Sequence, residues 1–365
     1  MPGTEEGLIV RTEHLTDEML LIDVGHTTIV SDHPEHMGGH GKGPTPGELV
    51  KGALAASAAL EIGRMIERDG LAVESLGVAC STGFETVRRD EGPMPSTTML
   101  DNFQLHVALV GNLDADQVSA IENAAGNCAV ARALSAGIGI EERDTFKQEP
   151  AKRASRATSH LIEQMYANRP APGEKVVQPV NTQTAVKAEY LGDGRALLKW
   201  SKTVYLAEEK REEGQVPNGA QPELLLLAGL SACTSVFVAR AAAMVGADAE
   251  VRVVSTGVID PASDRVRIVK TLEVTGELSE DQKHTLAYFG DNCAIGETLR
   301  RKARIAVTVD LIEPAGGAGV GAVLSAMGTD ARKIDSHFEE IVCDDGSCCV
   351  PDLDVPASPE ADRAS

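Results

Sequence analysis

Two stretches of the chain share one pattern of apolar and polar positions, and each predicts the same series of elements. In the first stretch, alternating residues predict two strands within 13–30, and an alanine-rich run predicts a buried helix over 48–67. A hairpin, a second helix and a last strand follow, at 73–85 with 99–111, at 114–135 and at 138–146.

The second stretch repeats this order. It predicts paired strands in 189–205, a helix over 222–245, strands at 250–259 and 266–278, a helix over 279–301 and a strand at 304–312. In both stretches the later helix opens with a capping signature, since Asp114 and Ser279 are each followed three residues on by glutamine.

Local sequence similarity supports the repeat. Residues 46–58 align without gaps on residues 221–233, at an offset of 175 residues from Glu48 to Glu223. A second echo aligns 125–130 on 290–295, at an offset of 165. Cys128 therefore corresponds to Cys293, whereas Cys233 faces Ala58. We interpret the chain as two fused copies of one domain, of which only the second keeps a cysteine pair.

The predicted organisation has four parts. Residues 1–146 form the first copy, 147–183 a proline-containing linker with a short helix over 154–166, 184–313 the second copy and 314–365 a cysteine-containing tail. The mixture of strands and helices in each copy predicts an α+β fold.

Composition narrows the function classes. The chain of 365 residues has 42% apolar residues and a net charge of −21, which suit a soluble protein and disfavour nucleic acid as a partner. Neither a basic leader nor a run of about 20 apolar residues is evident, so we expect a cytoplasmic protein without a membrane partner. Seven cysteines without a secretory signal favour reactive or metal-binding thiols over a disulfide framework.

The element order and the run from Pro222 to Cys233, Pro-Glu-Leu-Leu-Leu-Leu-Ala-Gly-Leu-Ser-Ala-Cys, resemble the OsmC/Ohr family of osmotically inducible and organic hydroperoxide resistance proteins. The first copy's helix entry, residues 43–49, is similar to that family as well. The resemblance implies an intertwined dimer in which antiparallel sheets wrap two long helices. Here one chain would supply both halves as an intramolecular pseudo-dimer, present as a monomer or a homodimer.

The resemblance also implies a thiol-dependent peroxidase. Cys233 matches the peroxidatic position and Cys293 the resolving position, so the expected substrate is a small organic hydroperoxide and the expected partner a dithiol reductant, with no bound cofactor. This chemistry requires a thiolate that attacks the peroxide and a second thiol that captures the resulting sulfenic acid.

Three further residues are candidates for the catalytic site. Glu223 lies ten residues before Cys233, about 15 Å along a helix, so it cannot act on that thiol within one unbroken helix. An antiparallel crossing of the two long helices would instead bring Glu48 to Cys233 and Glu223 to Ala58. The family's hairpin arginine is replaced by Gly192, with Arg195 nearby but displaced and opposite Met19 in the first copy.

Two cysteine- or histidine-rich segments keep an alternative open. Cys343, Cys348 and Cys349 suit a soft metal or metalloid, or a mobile relay that reduces a Cys233–Cys293 disulfide. His33, His36 and His40 form a loop whose spacing could bind a divalent metal. The alternative function is therefore a protein that binds a soft metal, a metalloid or a thiol-reactive small molecule without turnover.

Overall fold

The computed structural model describes residues 8–152, 171–180, 185–200, 203–209, 217–260 and 265–312. The helices in chain order are α1 (Pro46–Asp69), α2 (Ala115–Gly126), α3 (Ala129–Ala136), α4 (Pro222–Met244), α5 (Glu280–Asp291) and α6 (Ala294–Arg300), with a short 3-10 turn at Glu35–Met37. The predicted helix at 154–166, the tail after 312 and its three cysteines lie outside the described residues.

Thirteen strands accompany these helices in the described residues. They are β1 (Leu8–Thr16), β2 (Met19–Asp23), β3 (Thr28–Ser31), β4 (Val73–Arg88), β5 (Ser96–Gly111), β6 (Gly139–Lys147), β7 (Lys175–Gln178), β8 (Val186–Gly192), β9 (Arg195–Trp200), β10 (Thr203–Glu208), β11 (Glu250–Asp260), β12 (Arg265–Thr275) and β13 (Ile305–Ile312). The predicted α+β fold class is confirmed.

Each of the two sheets contains strands from both of the copies proposed from the sequence. One sheet has the order β3-β2-β1-β11-β12-β6 and the other β10-β9-β8-β4-β5-β13, with β7 added beside β4. Each sheet thus combines the first three strands and the last strand of one copy with the central hairpin of the other. The last strand runs parallel to its neighbour in both sheets, with Glu142 opposite Lys270 in one and Val307 opposite Leu105 in the other. Both pairs follow the same offset of 165 residues as the sequence echo.

Helices α1 and α4 fill the space between the sheets. They contact each other, while α1 packs on β4, β8 and β9 and α4 packs on β1 and β11. Gly229 permits the close crossing, because a Cβ atom there would lie 2.7 Å from Val50 Cγ2. Burial of nearly all apolar residues on both helices makes this pair the core of the fold.

The residue types at both ends of α1 explain where this helix begins and ends. Thr45 and Glu48 form a capping box, since the Glu48 amide donates to Thr45 Oγ1 at 3.2 Å and the Thr45 amide donates to Glu48 Oε2 at 2.8 Å. Gly70 ends the helix with φ 62°, a left-handed conformation that glycine adopts without strain. Asp114 and Ser279 form the predicted capping boxes of α2 and α5.

Two predictions about helices are wrong. The helix expected over 114–135 and the helix expected over 279–301 are each interrupted, and the second segments, α3 and α6, begin after Cys128 and Cys293.

The expectation that no stretch approaches a membrane span fails for α4, which is long and apolar enough to cross a membrane by length and composition alone. However, 89% of its most apolar window is buried inside the protein, as in a core helix.

Candidate active site

Helix α4 places Cys233 at the centre of the core. The thiol is only 4% exposed, but it lines a cavity of about 930 Å³ between the two copies. Cys293 is fully buried, and it is not among the residues that line this cavity. A molecule in the cavity therefore meets Cys233 before Cys293.

The break between α5 and α6 brings Cys293 to Cys233. Cys293 occupies the N-cap of α6, where its Sγ accepts a hydrogen bond from the Gly296 amide at 3.3 Å and lies 3.3 Å from Thr234 Oγ1. The two thiols are neighbours, and each shifts the pKa of the other. The Ile295 amide completes the arrangement by donating to Cys233 Sγ at 3.4 Å. One turn of backbone thus binds both sulfur atoms.

The surroundings of the two thiols differ in their effect on ionisation. Burial raises the pKa of Cys233 well above its ordinary value. Burial also opposes ionisation of Cys293, but the neighbouring Cys233, the positive charge of Lys270 and the donors Thr234 and Gly296 together lower the pKa of Cys293. A single negative charge on the pair is therefore more stable on Cys293 than on Cys233.

The cavity joins an apolar wall to a few polar groups. Phe84, Leu100, Val236 and Phe237 contribute apolar surface. Glu48 lines the same cavity as Cys233, although its carboxylate also receives the Thr45 amide of its own helix cap. The predicted action of Glu48 on Cys233 remains a prediction.

Lys51 and Arg240 also line the cavity, and neither was predicted from the sequence as a residue of the site. Lys51 is 3% exposed, and burial lowers its pKa, although the neighbouring Glu48 carboxylate raises it. Arg240 lies seven residues after Cys233 on the same face of α4 and is the last charged residue in that helix. An isolated arginine in an apolar helix is the sequence signal that could have identified it.

Arg240 is bound to a buried carboxylate from the other copy. Its Nη2 lies 2.8 Å and its Nε 3.2 Å from the two oxygens of Glu18, which follows the tight turn at Asp17. Burial raises the pKa of Glu18 even with Arg240 as its partner. His33 Nδ1 lies 3.4 Å from the same carboxylate, and burial lowers the pKa of His33 to about 3, so this histidine is neutral near pH 7.

The remaining predicted residues lie elsewhere. Arg195 is at the start of β9, 3.5 Å from Asp193, and does not line the cavity, so its expected place at the site is wrong. Glu223 begins α4 and is also absent from the cavity wall; burial raises its pKa, and its charge acts on Cys128. The expectation that Glu223 approaches Ala58 stays a prediction.

Within the described residues, no three His, Cys, Asp or Glu side chains are arranged to hold a metal ion. The His33, His36 and His40 loop is ordered instead by Asp32, whose Oδ2 accepts the amides of His40 and Lys42 at 3.0 Å each. The metal hypothesis for that loop is wrong. The tail hypothesis for Cys343, Cys348 and Cys349 stays a prediction.

Comparison with known protein families gives a match over one part of the chain. Residues 39–143 match the family described as OsmC-like protein. The matched region is similar to that family. It contains Ala58 and Cys128, whereas Cys233 and Cys293 lie beyond it. The matched region therefore carries the fold of the first copy but not the thiol pair.

Two solved structures are similar to parts of this chain. An OsmC-like protein from Mycoplasma pneumoniae is 19% identical, with a TM-score of 0.27, over 33% of this chain and 90% of its own. The organic hydroperoxide resistance protein OhrB of Bacillus subtilis is 19% identical, with a TM-score of 0.25, over 35% of this chain and 97% of its own. No curated protein matches the chain.

Proposed function

We propose that this OsmC-like protein is a thiol-dependent peroxidase that reduces organic hydroperoxides. The match of residues 39–143 supports a role in stress or peroxide resistance. The observation that carries the finer proposal is the pair of thiols bound by one backbone turn, Cys233 by the Ile295 amide and Cys293 by the Gly296 amide, with only Cys233 of the two reaching the cavity. Two adjacent thiols, one of them accessible to substrate, are what a peroxidase cycle requires.

The proposed reaction proceeds through two displacements. The Cys233 sulfur attacks the terminal oxygen of the hydroperoxide and loses its proton as it does so, the O–O bond breaks, and the alkoxide leaves and is protonated to an alcohol. Cys233 then carries a sulfenic acid. The Cys293 thiolate attacks that sulfur and displaces hydroxide, which becomes water, and a Cys233–Cys293 disulfide remains. An external dithiol reduces this disulfide and is itself oxidised to a disulfide.

The cavity favours an organic substrate over hydrogen peroxide. Its volume of about 930 Å³ and its apolar side chains provide a hydrophobic surface for an alkyl group. Lys51 supplies a cation on the same wall as Cys233, where the alkoxide develops negative charge. Lys51 thus takes the place that the resemblance assigned to a hairpin arginine.

The test is hydroperoxide consumption with a dithiol reductant, comparing an organic hydroperoxide with hydrogen peroxide. Cys233→Ser should lower the rate by about a thousandfold or more, because the nucleophile is lost. Cys293→Ser should still form a sulfenic acid at Cys233 but should turn over poorly. Cys128→Ser is the matched control, since Cys128 occupies the same helix cap in the other copy, and should keep the wild-type rate.

Two results would contradict the proposal. One is undiminished consumption by Cys233→Ser, and the other is no consumption by the wild-type protein with any reductant supplied. Replacing Cys343, Cys348 and Cys349 together by serine tests the proposed relay, which predicts a slower cycle only when the reductant is a monothiol.

A further inference from the structure

We propose that Lys270 is a positioning residue that holds the shared negative charge of the thiol pair on Cys293. Lys270 belongs to β12 and is almost completely buried. Its Nζ donates to the Gly290 carbonyl at 2.6 Å and lies 2.8 Å from Glu142 Oε2. Gly290 is near the end of α5, three residues before Cys293, so the ammonium is fixed directly behind the turn that carries this thiol.

The other copy shows what the same scaffold does without this lysine. The residues that correspond to Lys270 and Glu142 are Leu105 and Val307, which face each other in the same register of the other sheet. Cys128 occupies the helix cap there, as Cys293 does here, and burial raises the pKa of Cys128. The cap position alone therefore does not ionise a thiol in this fold, and the buried ion pair is one of the features that distinguish the two sites.

Other charges near Cys293 act less directly. Arg300 contacts Glu142, and Arg89 contacts Asn292 and Glu297, so these arginines face carboxylate or amide oxygens. The titratable and charged groups around Cys293 are Cys233 and Arg240 of α4, Lys270 of β12, Glu142 and Asp144 of β6, Asp291 of α5, Glu297 and Arg300 of α6, and Arg89 after β4. Among the cations, Lys270 has the direct electrostatic effect on Cys293.

A thiolate at Cys293 also provides the base that Cys233 needs, and this step rests on the proposed peroxidase function. The Cys233 proton passes to the neighbouring Cys293 thiolate as Cys233 attacks the peroxide. Cys293 then gives that proton to the departing alkoxide and is again a thiolate, ready to displace hydroxide from the sulfenic acid. One proton is moved twice, and no further base is required.

The test compares two variants that break the same ion pair from opposite sides. Thiolate formation is followed by ultraviolet absorbance against pH in the reduced protein, and the Cys293 contribution is the difference from the same protein with Cys293→Ser. Lys270→Met should raise the Cys293 midpoint by about one pH unit or more, because a nearby cation is lost. Glu142→Gln leaves the ammonium in place and should not raise the midpoint. Lys270→Arg should restore most of the wild-type midpoint.

A double variant tests whether misfolding, rather than loss of the cation, explains the result for Lys270→Met. Lys270→Leu with Glu142→Val installs the residues of the other copy and leaves no unpaired buried charge, and it should raise the midpoint as Lys270→Met does. Lys270 would be only structural if the Cys293 midpoint were unchanged in Lys270→Met and in the double variant. Equal upward shifts of that midpoint in Lys270→Met and Glu142→Gln would lead to the same conclusion. A shifted midpoint in a protein that consumes no peroxide would support the role of Lys270 and reject the peroxidase.

Discussion

The surroundings of Cys128 and the surroundings of Cys293 share one scaffold but differ in their buried charges. In each region a cysteine caps a short helix, and the amide of the second residue in that helix donates to a side chain of a long helix. The Ile295 amide donates to Cys233 Sγ of α4, and the Val130 amide donates to Ser57 Oγ of α1 at 3.3 Å. Around the first thiol, Cys128, the counterpart positions hold Ala58, Met65, Leu105 and Leu226; around Cys293 they hold Cys233, Arg240, Lys270 and Lys51.

This comparison separates what the fold requires from what the chemistry requires. The apolar side chains around Cys128 are buried, so the scaffold packs well without any charge at these positions. Burying an arginine and two lysines costs desolvation energy that apolar side chains avoid, so stability alone does not account for the charged set. We therefore assign the charges of the second site to its chemistry and expect them to separate activity from stability when they are changed.

The largest expected effect on stability is at the Arg240–Glu18 pair. Arg240→Met, which copies Met65, leaves Glu18 buried without its cation and should lower the free energy of unfolding by about 3 to 5 kcal/mol. Glu18→Gln should have an effect of similar size. Because each single change leaves one unpaired charge, the double variant should be much more stable than the sum of the two losses predicts. Urea unfolding measures all four proteins, and strictly additive losses would show that the two side chains do not act as a pair.

A smaller effect, of opposite sign for activity and stability, is expected at Lys51. Lys51→Met removes a cation from the wall of the cavity that Cys233 also lines, and it should lower kcat/KM for an organic hydroperoxide about tenfold, or about 1.4 kcal/mol. The free energy of unfolding should stay equal or rise, because a buried ammonium no longer has to be desolvated. Leu226→Met at the counterpart position is the control and should change neither quantity. A loss of stability without a loss of turnover would assign Lys51 to the fold rather than the site.

Much of the fold follows from local signals in the sequence. The capping boxes at Asp114 and Ser279 and the turns at Asp17 and Asp193 lie where the residue types predict them. The repeat also predicted that Cys233 and Cys293 belong together. The break in each later helix was missed because the residues on either side of Asn127 and Asn292 are compatible with a continuous helix. Only tertiary contacts decide that the cysteine becomes a cap.

The charged partners of the site were harder to predict for a different reason. Glu18 and Arg240 are 222 residues apart, and Glu142 and Lys270 meet only because β6 pairs in parallel with β12. Such contacts depend on which strands exchange between the sheets, and no local pattern encodes that exchange. Arg195 was proposed from its position in a hairpin, but in the fold the α4 arginine, not this one, reaches the cavity.

The most direct test of the central claim is a peptide map after equimolar oxidation. The fully reduced protein is treated with an equimolar organic hydroperoxide, its remaining thiols are alkylated under unfolding conditions, and mass spectrometry assigns each cysteine. The account predicts a disulfide between Cys233 and Cys293, with Cys80 and Cys128 recovered as alkylated thiols. Recovery of Cys233 as a thiol, with oxidation instead at Cys128 or confined to Cys343, Cys348 and Cys349, would contradict it.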